Sequence, residues 1–110
     1  AAQLTQVLIS PVFKKKLAPS FNMSDGSVLL ECQVSGYPRP EITWFKESKI
    51  IQQSEVYEMH YNEENFASLT IRDATNEGTY TVVAKNQAGY AACSTEIYVD
   101  GNHLLINCKI

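Results

Sequence analysis

Cys32-Gln33-Val34-Ser35-Gly36-Tyr37-Pro38-Arg39-Pro40-Glu41-Ile42-Thr43-Trp44-Phe45-Lys46 is the stretch whose reading decides the fold. It opens inside a strand. Val28, Leu30, Cys32 and Val34 fall on one face at period two, while Glu31 and Gln33 share the other with Leu29. Residues 36–40 cannot continue that strand, because proline removes a backbone donor and fixes φ, so the chain turns there. Residues 41–46 then read as the next strand, with Ile42 and Trp44 pointing inward. Cys32 and Trp44 are thus core residues of consecutive strands, twelve positions apart.

The same alternation extends outward in both directions. Residues 11–16 read as an edge strand, since Pro11 and Lys14-Lys15-Lys16 suit an edge and would disrupt a centre. Residues 17–24 continue it after a break near Pro19, and Asp25-Gly26 is a turn. Downstream of a poorly defined stretch, residues 55–61 and 66–72 are strands, the second with Leu69 and Ile71 inward. Residues 79–86 place Tyr80, Val82 and Ala84 on one face. Gln87-Ala88-Gly89 makes a tight hairpin, where Gly89 is expected to supply a positive φ. Residues 90–99 form a long final strand with Ala91, Cys93, Thr95, Ile97 and Val99 inward. No segment carries a 3.6-residue period over a helix length. Short alternating runs divided by turns predict an all-β, two-sheet sandwich. The domain is expected over residues 11–99, with 1–10 an N-terminal linker and 100–110 a C-terminal tail or linker.

Bulk properties fit one globular domain of 110 residues, 45% hydrophobic and 19% charged. A net charge of -3 offers no field for nucleic acid, and no apolar run approaches the ~20 residues of a membrane helix. Cys32, Cys93 and Cys108 lack the paired spacing of a zinc site, and His60 and His103 are not placed to complete one. An odd number of scattered cysteines fits a reducing compartment better than an oxidising one.

No catalytic motif emerges. His60 lies among Tyr57, Met59 and Tyr61 with only Glu58 and Glu63 as acidic neighbours, and no nucleophile stands beside it. Glu63-Glu64 lacks the further oxygen ligands of a cation site. No cofactor is implied. Asn22-Met23-Ser24 matches a glycosylation acceptor, which would matter only in an extracellular setting. Phe45, Val83 and Tyr98 have outward parity on strands expected in one sheet, and mark a candidate partner surface.

With these residues in order, the chain resembles the intermediate-set (I-set) immunoglobulin domains of intracellular muscle proteins. The carriers are residues 32–40 and 42–46 quoted above, Ser68-Leu69-Thr70-Ile71, Gly78-Thr79-Tyr80 and Ala84-Lys85-Asn86-Gln87-Ala88-Gly89. The resemblance implies an immunoglobulin-like Greek-key sandwich whose structural residues are Cys32, Trp44, Leu69, Tyr80, Val82 and Gly89. Tyr80 would be the tyrosine corner, its hydroxyl bonding backbone a few residues upstream. Two departures stand out. Val82 occupies the place of the second bridge cysteine, so the usual inter-sheet disulfide has lost one partner. The approach to Tyr80, residues 73–78, is short, with Asn76 where the family has an aspartate.

In such domains a cysteine at the place of Cys93 can bridge to the one at Cys32; the other reading leaves both thiols reduced, buried and inert. The resemblance further implies a non-catalytic structural and protein-interaction module of a sarcomeric scaffold or elastic filament, in the cytoplasm at the sarcomere or myofibril. Its partners would be sarcomeric or cytoskeletal proteins and neighbouring immunoglobulin or fibronectin domains, with no nucleic acid and no membrane. Force on the two ends would then load pairing between the first and last strands in shear. A competing reading is an extracellular adhesion or receptor domain that binds a protein ligand; Val82 counts against it, since that setting usually keeps the bridge.

Overall fold

A computed structural model describes the backbone of residues 7–73, 76–100 and 103–109, and side chains as far as residue 98. Among the described residues nine strands follow one another: β1 (Ile9–Asn22), β2 (Ser27–Tyr37), β3 (Glu41–Lys46), β4 (Lys49–Ile50), β5 (Tyr57–Tyr61), β6 (Phe66–Ile71), β7 (Gly78–Asn86), β8 (Gly89–Asp100) and β9 (His103–Lys109). They build two antiparallel sheets, ordered β1-β2-β6-β5 and β4-β3-β7-β8-β9. The chain crosses between sheets after β2, β4 and β6, the Greek-key pattern of the expected sandwich.

The period-two alternation is what the sheets bury. Along β2, Val28, Leu30, Cys32 and Val34 are at most 1% exposed, while Leu29 between them is 37% exposed. Ala67, Leu69 and Ile71 of neighbouring β6 extend that layer, and Trp44, Tyr80, Val82, Cys93 and Ile97 meet it from the facing sheet, with Leu17 reaching in from β1. No buried side-chain polar atom among the described residues lacks a hydrogen-bond partner.

β1 is a single strand rather than two runs broken near Pro19. Its ladder with β2 is irregular upstream, shifting register between Phe13 and Lys15 and again between Lys15 and Ala18, while Pro19 pairs in register with Leu30. The outermost strand tolerates proline because one side of its backbone has no ladder to serve. β1 pairs only with β2, and β8 pairs with β7 on one side and β9 on the other. The expected ladder between first and last strands is therefore replaced by one in which β9, from the stretch read as a tail, takes the edge of β8.

The start of β1 is tied to one end of the sandwich. Asn86 Nδ2 donates to the carbonyl of Ile9 at 2.7 Å and to that of Pro38 at 3.0 Å. Gly36 lies at the centre of this contact: a Cβ there would meet the Ile9 carbonyl and Asn86 Nδ2 at 3.2 Å each. Because Ile9 and Gly89 share this pole, β1 and β8 start together and run the same way.

Candidate functional site

The residues singled out by sequence converge in the middle of the sandwich. Register places Trp44, Val82 and Cys93 side by side across β3, β7 and β8. Cys32 faces that row from the opposite sheet, where it pairs with Ala67. Neither cysteine is in a disulfide, and both are buried, at 1% and 2% exposure. Burial, with a smaller electrostatic contribution from Cys93, pushes the Cys32 thiol up to about 12. In the reduced state such a thiol packs as a small apolar group. Val82 fills the bridge position with methyl groups at 0% exposure, which is how the core closes without the usual bridge.

Tyr80 forms the corner expected of it. Its hydroxyl donates to the Asn76 carbonyl at 2.7 Å and lies 3.4 Å from the Tyr57 hydroxyl, with the two rings edge to face at 6.3 Å. The polar link across the short turn therefore runs through the backbone of Asn76, not through its side chain. Leu69 is fully buried, opposite Leu30 and Met59. Gly89 has φ of +156°, and a Cβ there would approach Ser10 Oγ to 2.6 Å. Its requirement is thus the close passage of β1 as well as the turn. The turn itself is held by Asn86 Oδ1, which accepts the Ala88 N–H at 2.8 Å.

The outward trio is only partly brought together. Phe45 and Val83 are half-buried in adjacent rows, Phe45 opposite Thr81 and Val83 opposite Thr43 and Ala92. Tyr98 lies two rows beyond Phe45 at the far strand, past the Thr81–Ser94 hydroxyl pair and the Thr79–Glu96 pair. Its hydroxyl donates to Glu96 Oε2 at 3.0 Å. The neighbour that sequence reading missed is Ile50, 64% exposed and directly opposite Phe45. Only the two-residue strand β4 puts it there, and so short a strand leaves no alternation to read.

Arg39 was also missed. It stacks 4.0 Å from the centre of the Tyr61 ring and donates to the Asn62 carbonyl at 2.9 Å, and Tyr61 in turn donates to the Pro40 carbonyl at 2.8 Å. The proline-rich loop is thereby fixed over the end of β5. Beside it lies an open recess of about 380 Å³ lined by Pro38, Arg39, Glu41, Lys85, Asn86 and Gln87. His60 is exposed at β5, 3.7 Å from Glu58, which pairs with Arg72 at 3.0 Å. Asn22 turns back on itself, its Oδ1 accepting from the Ser24 N–H and hydroxyl.

A two-sheet antiparallel sandwich, with a cysteine and a tryptophan across its core and a tyrosine corner, defines an immunoglobulin-like module. Residues 11–99 match the immunoglobulin I-set domain family. The chain belongs to that family. It is 44% identical over 94 residues to titin of Drosophila melanogaster, covering 84% of this chain and a share of that protein that rounds to 0%. It is 43% identical over 94 residues to palladin of Mus musculus, covering 82% of this chain and 7% of that protein. Among solved structures, the titin M3 domain superposes with a TM-score of 0.69 at 32% identity, covering 80% of this chain and 93% of that one. The chain is thus an immunoglobulin domain homologous to those of titin and other muscle proteins, and it spans a small fraction of the two relatives named.

Proposed function

We propose that this domain is a non-catalytic structural and protein-docking module of a sarcomeric scaffold or elastic filament, working in the cytoplasm and bearing load along its strands. One observation carries the reading. β1 enters at the pole clamped by Asn86, β8 runs from that pole to the other, and a closed core lies between them. Tension between neighbouring modules would then run along the strands. Kinship with titin and palladin domains supports the muscle and cytoskeletal setting and neighbouring immunoglobulin or fibronectin modules. Ile50, Phe45 and Val83 offer the side-chain surface for a sarcomeric or cytoskeletal partner.

The facing thiols add a redox element: an external two-electron oxidant such as peroxide, reduced to water, would take two electrons and two protons from Cys32 and Cys93 and join their sulfurs, and the chain between them would stop extending. Single-molecule stretching of the domain between handles tests both parts. A single cooperative unfolding event at each pull is expected. Oxidation should shorten its contour gain by about 200 Å, the extended length of the roughly 60 residues enclosed. A domain that extends without a discrete event refutes the load-bearing reading. Equal gains with and without reductant refute the bridge.

A further inference from the structure

The outer face of the five-stranded sheet changes character along its strands. One row across it reads Ile50, Phe45, Thr81 and Ser94, from β4 through β3 and β7 to β8. Val83 lies two residues from Thr81 on the same face, toward the clamped pole. Ile50 is 64% exposed, and Phe45 and Val83 are half-buried. The Thr81 and Ser94 hydroxyls bond each other at 2.8 Å, which lowers the cost of covering them.

The next row away from that pole is acidic. Glu47 ends against Thr79, its N–H donating to the Thr79 carbonyl at 2.7 Å and its Oε1 accepting the Thr79 N–H at 3.1 Å. Glu96 pairs with Thr79 from the other side, and Glu77 stands two residues before it. The two rows are about 7 Å apart, the rise of two strand residues. Tyr98 lies beyond them and donates to Glu96 Oε2 at 3.0 Å. That bond raises its phenol above the ordinary value, desolvation adds to the shift, and the carboxylates of Glu96, Glu47 and Glu77 raise it further. Three carboxylates thus act on one exposed group. Lys46 and Lys49 alternate to the other face, where Lys46 Nζ lies 6.0 Å from the centre of the Tyr80 ring. On β9, Lys109 holds the position opposite Ser94, in register with the apolar row and not with the acidic one. An apolar patch bordered on one side by an excess of negative charge selects its partner by sign.

We propose that this face docks a cationic segment of another protein, with an apolar side chain against Ile50, Phe45 and Val83 and lysine or arginine over Glu47, Glu77 and Glu96. The proposal rests on the docking role given above to Ile50, Phe45 and Val83, and adds the chemistry of what docks. Alternate residues of an extended segment are also about 7 Å apart, so an apolar anchor and a cation two places on match the two rows. The charges steer and orient the segment, while the apolar contact holds it.

The whole chain carries a net charge of -3, so the test separates this face from bulk charge. A labelled six-residue peptide in which lysine alternates with leucine is titrated into the full chain by anisotropy, and amide shifts map where it sits. Saturable binding is expected, with shifts centred on Phe45, Ile50, Thr81 and Glu96, and added salt should weaken it. Glu47→Gln with Glu96→Gln keeps an acceptor oxygen at both places and should weaken binding about fivefold. Ile50→Ser should cost a similar factor. Glu63→Gln with Glu64→Gln removes the same charge from the turn between β5 and β6 and should change nothing. The shift map uses unaltered protein, so it decides the matter even where a variant unfolds. A peptide with glutamate in place of lysine that shifts the same amides equally overturns the cationic preference and leaves the docking face standing. If neither peptide moves them, both readings fail. Equal weakening by the pair at 63 and 64 assigns the binding to bulk charge and overturns the proposal, as does self-association of the chain through this face.

Discussion

Replacing Tyr80 by phenylalanine removes one oxygen from the most enclosed aromatic of the core and leaves its ring in place. Tyr80 is 0% exposed, and that oxygen serves two neighbours: the Asn76 carbonyl at 2.7 Å and the Tyr57 hydroxyl at 3.4 Å. The short bond is the substantial one, since contact at 3.4 Å is weak for two hydroxyls. Losing a hydrogen bond costs about 1 kcal/mol net, and leaving the part-buried Asn76 carbonyl short of a donor adds about 1 kcal/mol more. A total of about 2 kcal/mol should lower the melting temperature by roughly 10 °C in a domain of this size.

Urea unfolding followed through Trp44, the single tryptophan, gives the difference directly. Tyr57→Phe is the internal control and should cost less than half as much, because its hydroxyl takes part only in the long contact. Alkaline pH supplies a second readout. Burial, first, and the contact with Tyr57 raise the Tyr80 phenol above its ordinary value near 10. The folded state then holds a proton that the unfolded chain releases, so this contribution is complete below pH ~10 and is lost as pH climbs beyond it. Tyr80→Phe should flatten that loss. A cost below about 0.5 kcal/mol, or a Tyr57→Phe cost equal to that of Tyr80→Phe, would refute the assignment of the corner to the Asn76 carbonyl.

Three further outcomes follow from the geometry. Asn86→Ala removes the bonds to Ile9 and Pro38 and should cost about 1–2 kcal/mol in urea, with faster amide exchange at the start of β1 than elsewhere. Cys32, its folded pKa raised to about 12, should resist disulfide-exchange reagents at pH 8 in the native state and react at once in denaturant. Its raised pKa makes the contribution to stability complete below pH ~9 and lost between there and about 12, so Cys32→Ala should lose stability less steeply over that window. Arg39→Lys should lose nearly as much as Arg39→Ala, about 1 kcal/mol by denaturation, because an ammonium reproduces neither the planar stack on Tyr61 nor the aimed bond to Asn62.

Local pattern carried the reading of individual strands a long way. Alternation alone put Cys32, Trp44, Leu69, Tyr80, Val82 and Cys93 inward, and every one is buried. Pro38 and Pro40 marked the loop after β2 because proline's limits act within one residue, but β2 runs on through Gly36 and Tyr37, where the loop was expected to begin, because Tyr37 pairs with Ile9 of β1. The misses share a different property. Ile50 and Arg39 matter through neighbours distant in the chain, Phe45 across a two-residue strand and Tyr61 across the loop. The separation of Tyr98 from Phe45 depends on how many rows of a five-stranded sheet lie between them. The break expected near Pro19 lies instead in register shifts upstream, a property of the pair β1–β2 and not of proline alone.

By itself, then, the sequence determined that the chain is a β-sandwich and which side chains enter its core. These follow from period two, from turn chemistry and from residue identity, all of which act over a few neighbours; that Val82 denies Cys32 its usual bridge partner came from the family resemblance. Tertiary structure decided which residues meet. Register set Trp44, Val82 and Cys93 in one row facing Cys32, tied Ile9 to Asn86, and laid β9 along β8. Alternation tells a strand which face to bury; only long-range pairing tells it which strand to lie beside.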